Sequence, residues 1–228
     1  AMDTPPPLAD FGHVTDWVFD LDNTLYPPQV CLFPQIEARM TAYVMRALKV
    51  ERAEADHLRN HYWQLYGTTL AGLMHEHGLD PGPYLIDVHD VSMAALRPDP
   101  DLRAEISALP GRKIVYTNGS APYAERVLDA RGLSGLFDGI FGVEHADYHP
   151  KPQPRAFETV FARAAITPAR AAMFEDDPRN LVAPRAMGMR TVHVAPEPAP
   201  APQIEYHTAD LTGFLRALRH ARHTPRNP

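Results

Sequence analysis

The chain has a single cysteine, Cys31, among 228 residues, so no intramolecular disulfide can form. That fits a reducing compartment, and Cys31 reads as an ordinary small apolar residue. Basic residues are also short: 22 Lys and Arg face 28 Asp and Glu, a formal net charge of -6. No surplus is left to neutralise a phosphate polymer, which argues against a nucleic-acid partner. No apolar run is long enough to span a bilayer, so no membrane partner is expected. Asp3 and Pro5 to Pro7 stand where the apolar stretch of a signal peptide would be, and Ala1 ahead of Met2 reads as a cloning remnant. The expectation is a soluble, cytoplasmic protein. Glycine-rich nucleotide loops are missing, with neither Gly-x-Gly-x-x-Gly nor a Walker sequence. Gly-x-Ser-x-Gly is absent, which removes the common serine-hydrolase elbow. Histidines number 12, yet none has His-Glu-x-x-His spacing.

What is present is a globular balance, 45% hydrophobic and 22% charged, in a chain long enough for a sizeable core. Trp17-Val-Phe19 is β-prone and reads as a buried strand. It runs directly into Asp20 and Asp22, and Pro27 and Pro28 then block further regular structure. Residues 1 to about 14 are Pro-rich and expected to be poorly ordered. From 29 to 98 helical patterns replace strands: Phe33–Leu48, Ala53–Leu65, Thr69–His77 with Gly78 as its stop, and about Tyr84–Leu96. From 101 the pattern alternates. Strands are expected at Lys113–Asn118, Gly139–Val143, Ala171–Phe174 and Thr191–Val194. Helices are expected at Asp101–Leu109, Pro122–Arg131, Pro154–Ala165, Pro178–Met187 and about Ala209–Arg222. A Pro/Ala-rich linker covers 195–202, and the basic tail is expected to be disordered. Such alternation predicts an α/β fold, a doubly wound parallel sheet. Its core takes residues 1–28 and 99–228. Residues 29–98 form a small helical domain inserted after the first strand.

Each core strand ends in polar chemistry. Acids at the end of a buried strand need partners, because an unpaired buried carboxylate is costly. In open α/β sheets that end is where ligands bind. A cation would relieve the repulsion between Asp20 and Asp22. The second strand runs into Tyr116-Thr-Asn-Gly-Ser120, whose groups can donate hydrogen bonds to phosphate oxygens. The same residues also suit a strand-to-helix turn with Thr or Ser capping the helix. After the third strand, Pro150 and Pro152 restrict Lys151, which suits a point charge aimed at an anion. A solvated loop lysine is the other reading. After the fourth strand come Glu175, Asp176 and Asp177, which repel one another unless a cation is present or some are solvated. Oxygen-only ligation suits Mg²⁺. Asp177 also suits a cap for the helix that starts at Pro178.

Taken together, Asp20-Leu-Asp-Asn-Thr24, then Thr117, then Lys151, then Glu175-Asp176 resemble the four motifs of the haloacid dehalogenase superfamily, in order and in strand-end context. The helical insertion is similar to that superfamily's cap. Phe19-Asp-Leu-Asp-Asn-Thr-Leu-Tyr-Pro27, Leu65-Tyr-Gly-Thr-Thr-Leu-Ala-Gly-Leu73 and Phe174-Glu-Asp-Asp-Pro-Arg-Asn180 resemble its pyrimidine 5'-nucleotidase branch. Glu175 departs from the Asp often found there, and Asp177 from the common Ser. The resemblance implies a Mg²⁺-dependent phosphomonoesterase acting through an aspartyl-phosphate. Asp20 is then the nucleophile and Asp22 the acid and base, with Thr117 and Lys151 on the transferring group. Mg²⁺ falls to Asp20, the Asp22 carbonyl and Asp176, with Glu175 assisting. Asn118, Gly119, Tyr66, Thr68 and His89 are the candidate substrate contacts. Thr68 also suits a helix cap, and Tyr66 the core of the insertion.

The implied substrates are small phosphorylated metabolites, UMP- or CMP-like mononucleotides first, handled by a monomer or homodimer. Three alternatives stay open. Sugar phosphates or phosphoglycolate could be the substrate of a phosphatase or phosphomutase. A dehalogenase would use Asp20 on carbon, though it needs no proton donor such as Asp22. A non-catalytic binding protein could retain the scaffold.

Overall fold

The computed structural model describes residues 8–223. β1 (Asp16–Phe19) is buried along its whole length. It is preceded by α1 (Leu8–Phe11). Phe11 is fully buried, stacked near Trp17 and edge-on to Phe214. Residues 8–14 are therefore not the poorly ordered stretch that their neighbouring prolines predict. An aromatic anchor ties them down. Residues 1–7 and the tail beyond 223 lie outside the described residues.

After β1 the chain makes four helices, α2 (Leu32–Leu48), α3 (Arg52–Tyr66), α4 (Thr69–His77) and α5 (Pro81–Val88). Ile36, Val44, Ala55, Tyr62, Leu70, Leu73, Tyr84 and Val88 fill the space among them. α3 and α4 approach so closely that a Cβ on Gly72 would meet the Tyr62 ring at 2.2 Å. α5 runs from Pro81, not from about Tyr84 to Leu96. Asp80 caps it by accepting from Gly82 N, and Pro81 fits its first turn. It stops at Val88, and Arg126 takes the carbonyls of His89 and Val91 at 2.7 and 2.8 Å.

The remainder is α6 (Pro100–Ser107), β2 (Arg112–Tyr116), α7 (Ala121–Ala130), β3 (Gly139–Phe141), α8 (Pro154–Arg163), β4 (Ala171–Glu175), α9 (Val182–Ala186), β5 (Arg190–Val194), β6 (Tyr206–Thr208) and α10 (Leu211–His223). The six strands are parallel, in the order β3-β2-β1-β4-β5-β6. β3 stops at Phe141, short of the expected Val143, where a 3-10 turn begins. Residues 178–187 split into a 3-10 turn and α9, since Pro184 has no N–H to continue one helix. β6 has no counterpart in the sequence reading, because three residues with one polar centre carry no alternation.

Alternation along β1 sends Trp17 and Phe19 into one core layer and Val18 into the other. Phe19 is level with Val115 on one side and Phe174 on the other. Asp20, Tyr116 and Glu175 therefore leave the sheet at the same height. The order reverses direction at β1, so this edge is also a topological switch point.

One core residue holds both connections to the helical insertion. Buried Arg131, just after α7, donates to Leu25 O at 3.0 Å on the outgoing segment. It also donates to Arg97 O at 2.6 Å and Asp99 Oδ2 at 3.1 Å on the returning one.

Candidate active site

Asp20 is positioned by the sheet itself, its N–H donating to Phe174 O at 2.9 Å. The chain then turns, with Thr24 N and Leu25 N both donating to Leu21 O. That turn separates Asp20 from Asp22 and lets Thr24 Oγ1 lie 3.4 Å from Asp20 Oδ2. Buried Lys151 reaches in from the loop after β3. Its Nζ donates to Asp20 Oδ1 at 3.0 Å, Glu175 Oε2 at 2.9 Å and Tyr116 O at 3.0 Å. All three donors of the ammonium are thus directed. Burial alone would depress Lys151, but the carboxylates of Asp20 and Glu175 override it and hold it up, so it stays charged.

Asp20, Glu175 and Asp176 form a carboxylate cluster with oxygens within 4.8 Å of one another. Burial and the charge of Asp20 push both Glu175 and Asp176 upward. Three carboxylates against one lysine leave negative charge uncompensated, and a hard divalent cation with oxygen ligands meets that need. The donor set therefore fits Mg²⁺. Glu175 is committed to Lys151, and its Oε1 lies 3.4 Å from Asn180 Nδ2, so it stands as the lysine's counter-charge beside the other two acids.

The Asp22 carboxylate points elsewhere. Its Oδ1 accepts from Tyr26 OH and from Tyr123 OH, both at 2.7 Å. Burial, then Asp20, raises Asp22 to about 6, against the lowering effect of the two phenols. Both phenols are buried, and burial drives their own ionisation far up, so they remain donors. Neither tyrosine was singled out from sequence. Tyr26 lies one helical turn beyond Asp22, a readable spacing. Tyr123 comes from α7, across the sheet edge, and has no local signal.

Thr117 is buried, and its Oγ1 accepts from Gly119 N at 2.9 Å. The Asn118 side chain is not free for a substrate. It accepts from Lys151 N at 2.8 Å and donates to Lys151 O at 3.1 Å, clamping the lysine loop. Gly119 lies so near His89 that a Cβ would come within 3.3 Å of its Nε2. His89 is buried and stacked on Tyr123, with ring centres 4.2 Å apart, and its Nδ1 is 3.3 Å from Ser120 Oγ. It supports the Tyr123 ring.

The other candidate contacts in the insertion are placed differently. Thr68 caps α4, accepting from Ala71 N at 3.1 Å, which is the capping alternative. Tyr66 directs its hydroxyl to Glu76 and His75, and lines a cleft of about 270 Å³ with Met74, His75, Tyr148 and Arg155. None of the strand-end acids lines that cleft. Between Tyr66 and Thr68 the backbone comes close to the lysine loop. Gly67, at φ 97°, would place a Cβ 3.1 Å from Lys151 O. Gln153 Nε2 donates to Tyr66 O at 3.2 Å. Asp177 caps the turn after β4 and forks onto Arg179, as a cap reading predicts.

A parallel 3-2-1-4-5-6 sheet, acids at the ends of β1 and β4, and a buried lysine after β3 define the class. The chain belongs to the haloacid dehalogenase-like hydrolase family, whose sequence profile matches residues 18–188. Phosphate metabolism protein 8 of Saccharomyces cerevisiae is 27% identical over 202 residues, 81% of this chain and 63% of that protein. The chain thus spans less than two thirds of the yeast protein's length. The fructose-1-phosphate phosphatase YqaB of Escherichia coli is 34% identical over 80 residues, 35% of this chain and 42% of that protein. The structure of CbbY from Rhodobacter sphaeroides in complex with phosphate superimposes with a TM-score of 0.61 at 22% identity, covering 90% of this chain and 99% of that one. The last likeness is one of fold.

Proposed function

We propose that this chain is a Mg²⁺-dependent phosphomonoesterase on small phosphate esters. The observation that carries this reading is the Lys151 ammonium bridging Asp20 and Glu175 inside the cluster that Asp176 completes. Asp20 attacks phosphorus; a bond forms from its carboxylate oxygen and the ester P–O bond breaks. Asp22 gives its proton to the departing oxygen. Water then attacks the aspartyl-phosphate, Asp22 takes its proton, and the bond to Asp20 breaks to release inorganic phosphate. Lys151 holds Asp20 in place, and with the Thr117 hydroxyl it balances charge on the transferring group. Asp20, Asp176 and the Asp22 carbonyl would hold Mg²⁺, which supplies charge stabilisation to the phosphoryl oxygens.

The cap, taken as residues 29–98, closes over a small ester and excludes water. Pyrimidine nucleoside monophosphates are the substrate class that the Leu65–Leu73 segment supports through its likeness to that branch. The YqaB likeness supports a sugar phosphate over a shorter part of the chain.

The test is phosphate release with and without Mg²⁺ across UMP, CMP, AMP, fructose 1-phosphate and phosphoglycolate, with Asp20→Asn as control. Magnesium-dependent release by wild type, lost in Asp20→Asn, is expected. Equal turnover by that variant sinks the nucleophile assignment. A higher kcat/KM on fructose 1-phosphate than on UMP sinks the nucleotide reading alone.

A further inference from the structure

We infer that Tyr26 and Tyr123 are positioning residues that confine the exchangeable proton of Asp22 to Oδ2. This rests on the reading of Asp22 as acid and base. Both phenols donate to the same oxygen, Oδ1, each at 2.7 Å. A carboxyl oxygen has two lone pairs, and two short donors occupy both. The proton of a neutral Asp22 then has one place to sit. Among the described residues no side chain donates to Oδ2, and Asp22 as a whole stays half-buried. Oδ2 is therefore the oxygen that gives the proton in the first half-reaction and takes one from water in the second.

The two donors reach Asp22 from different parts of the fold, so the carboxylate cannot turn over without losing both. Tyr26 follows it in the same turn and is almost wholly buried. Tyr123 stands in the first turn of α7, its ring stacked 8° from parallel with His89. His89 closes the last helix of the insertion, and Arg126 holds its carbonyl at 2.7 Å. The acid is thus aligned by the core on one side and by the returning connector on the other. Carboxyl groups turn readily about their terminal bond, which has broad two-fold wells. Two directed donors remove that freedom.

The test uses Tyr26→Phe, Tyr123→Phe and the double variant, which keep the rings and the His89 stack. Single-turnover phosphorylation is followed with p-nitrophenyl phosphate, whose leaving group needs no proton, and with an alkyl phosphate, whose leaving group does. General acid catalysis typically contributes 10²–10⁴-fold, so misplacing the proton should slow the alkyl reaction about 10-fold per variant. The p-nitrophenolate burst should stay within about two-fold of wild type on the same argument. Rates plotted against leaving-group pKa should therefore fall more steeply in the variants. An equal loss on both esters means a merely structural role and overturns the proposal. Unchanged rates, or faster turnover of the alkyl ester, overturn it as well. A wild-type protein that releases no phosphate from any ester fails at the parent reading, a result that the variants are not needed to see.

Discussion

The guanidinium of Arg179 lies over the indole of Trp63, 3.7 Å from the ring centre. Trp63 belongs to the end of α3 in the insertion, and Arg179 to the turn after the β4 acids. Arg179 also forks onto Asp177, with Nη2 3.0 Å from Oδ2. The pair joins the cap to the loop that follows Glu175 and Asp176, next to where Gly67 meets the Lys151 carbonyl.

Trp63→Ala should weaken that junction without unfolding the protein. Trp63 is 44% exposed, and a cation–π contact at such a site contributes about 0.5–1 kcal/mol. We expect a fall of about that size in global stability, and a fall in kcat/KM of roughly two- to five-fold on the same energy scale. Chemical denaturation and steady-state kinetics on one preparation decide it. Loss of cooperative unfolding would show that Trp63 serves the core of the insertion.

Lys151→Met removes one buried cation from between two carboxylates. Breaking a buried pair from one side costs about 3–5 kcal/mol. The melting temperature at neutral pH should drop sharply and recover partly in acid, where the carboxylates protonate. A variant as stable as wild type would falsify the view that Lys151 compensates the cluster.

Magnesium should stabilise the folded chain in the absence of substrate. At a concentration 100 times its Kd, a ligand bound to the native state alone adds about 2.7 kcal/mol. Asp176→Asn should remove most of that increment, and calcium should not reproduce its size in wild type. Thermal melts across a magnesium titration read this without any turnover. An undiminished shift in Asp176→Asn places the cation elsewhere.

His89 should make stability depend on pH. Burial, with Arg126 close by, holds it down to about 4 in the fold. A histidine in an unfolded chain titrates near 6.5. Between those values the unfolded chain binds more protons, so stability rises with pH across the window. The contribution is complete above about 6.5 and is lost as pH falls towards 4. Its full size is about 3 kcal/mol, from about 1.4 per pH unit. His89→Phe keeps a ring against Tyr123 but cannot titrate. The difference between the two stability profiles should therefore slope between pH 4 and 6.5 and flatten above. Parallel profiles would remove His89 as the cause.

Strand ends were the readable part of this chain. Apolar runs that stop at Asp20, Thr117 and Glu175 show both the parallel sheet and the edge where polar chemistry collects. Lys151 was marked by its flanking prolines. The fold brings Asp20, Lys151, Glu175 and Asp176 together because β1 and β4 are neighbours in register. Asn118 looked like a phosphate donor because its residue type allows it. Only the fold shows that a backbone from a different loop takes both ends of its amide. Tyr66 and Thr68 were ambiguous for a similar reason: a hydroxyl near a helix start serves a cap or a ligand equally well in sequence. β6 and the end of α5 were hidden because three residues carry no period, and because Arg126, 35 or more positions away, takes the carbonyls beyond Val88.

Arg131 turns two chain crossings into a single joint. The outgoing and returning connectors are fastened to one guanidinium, so the helical insertion is pinned to the core at a single point, as a door is at its hinge. Trp63, far along the insertion from either crossing, acts as the catch against Arg179. Exchanging the panel for one of another shape would change what passes the doorway, and the frame with its acids and lysine would keep the same pin.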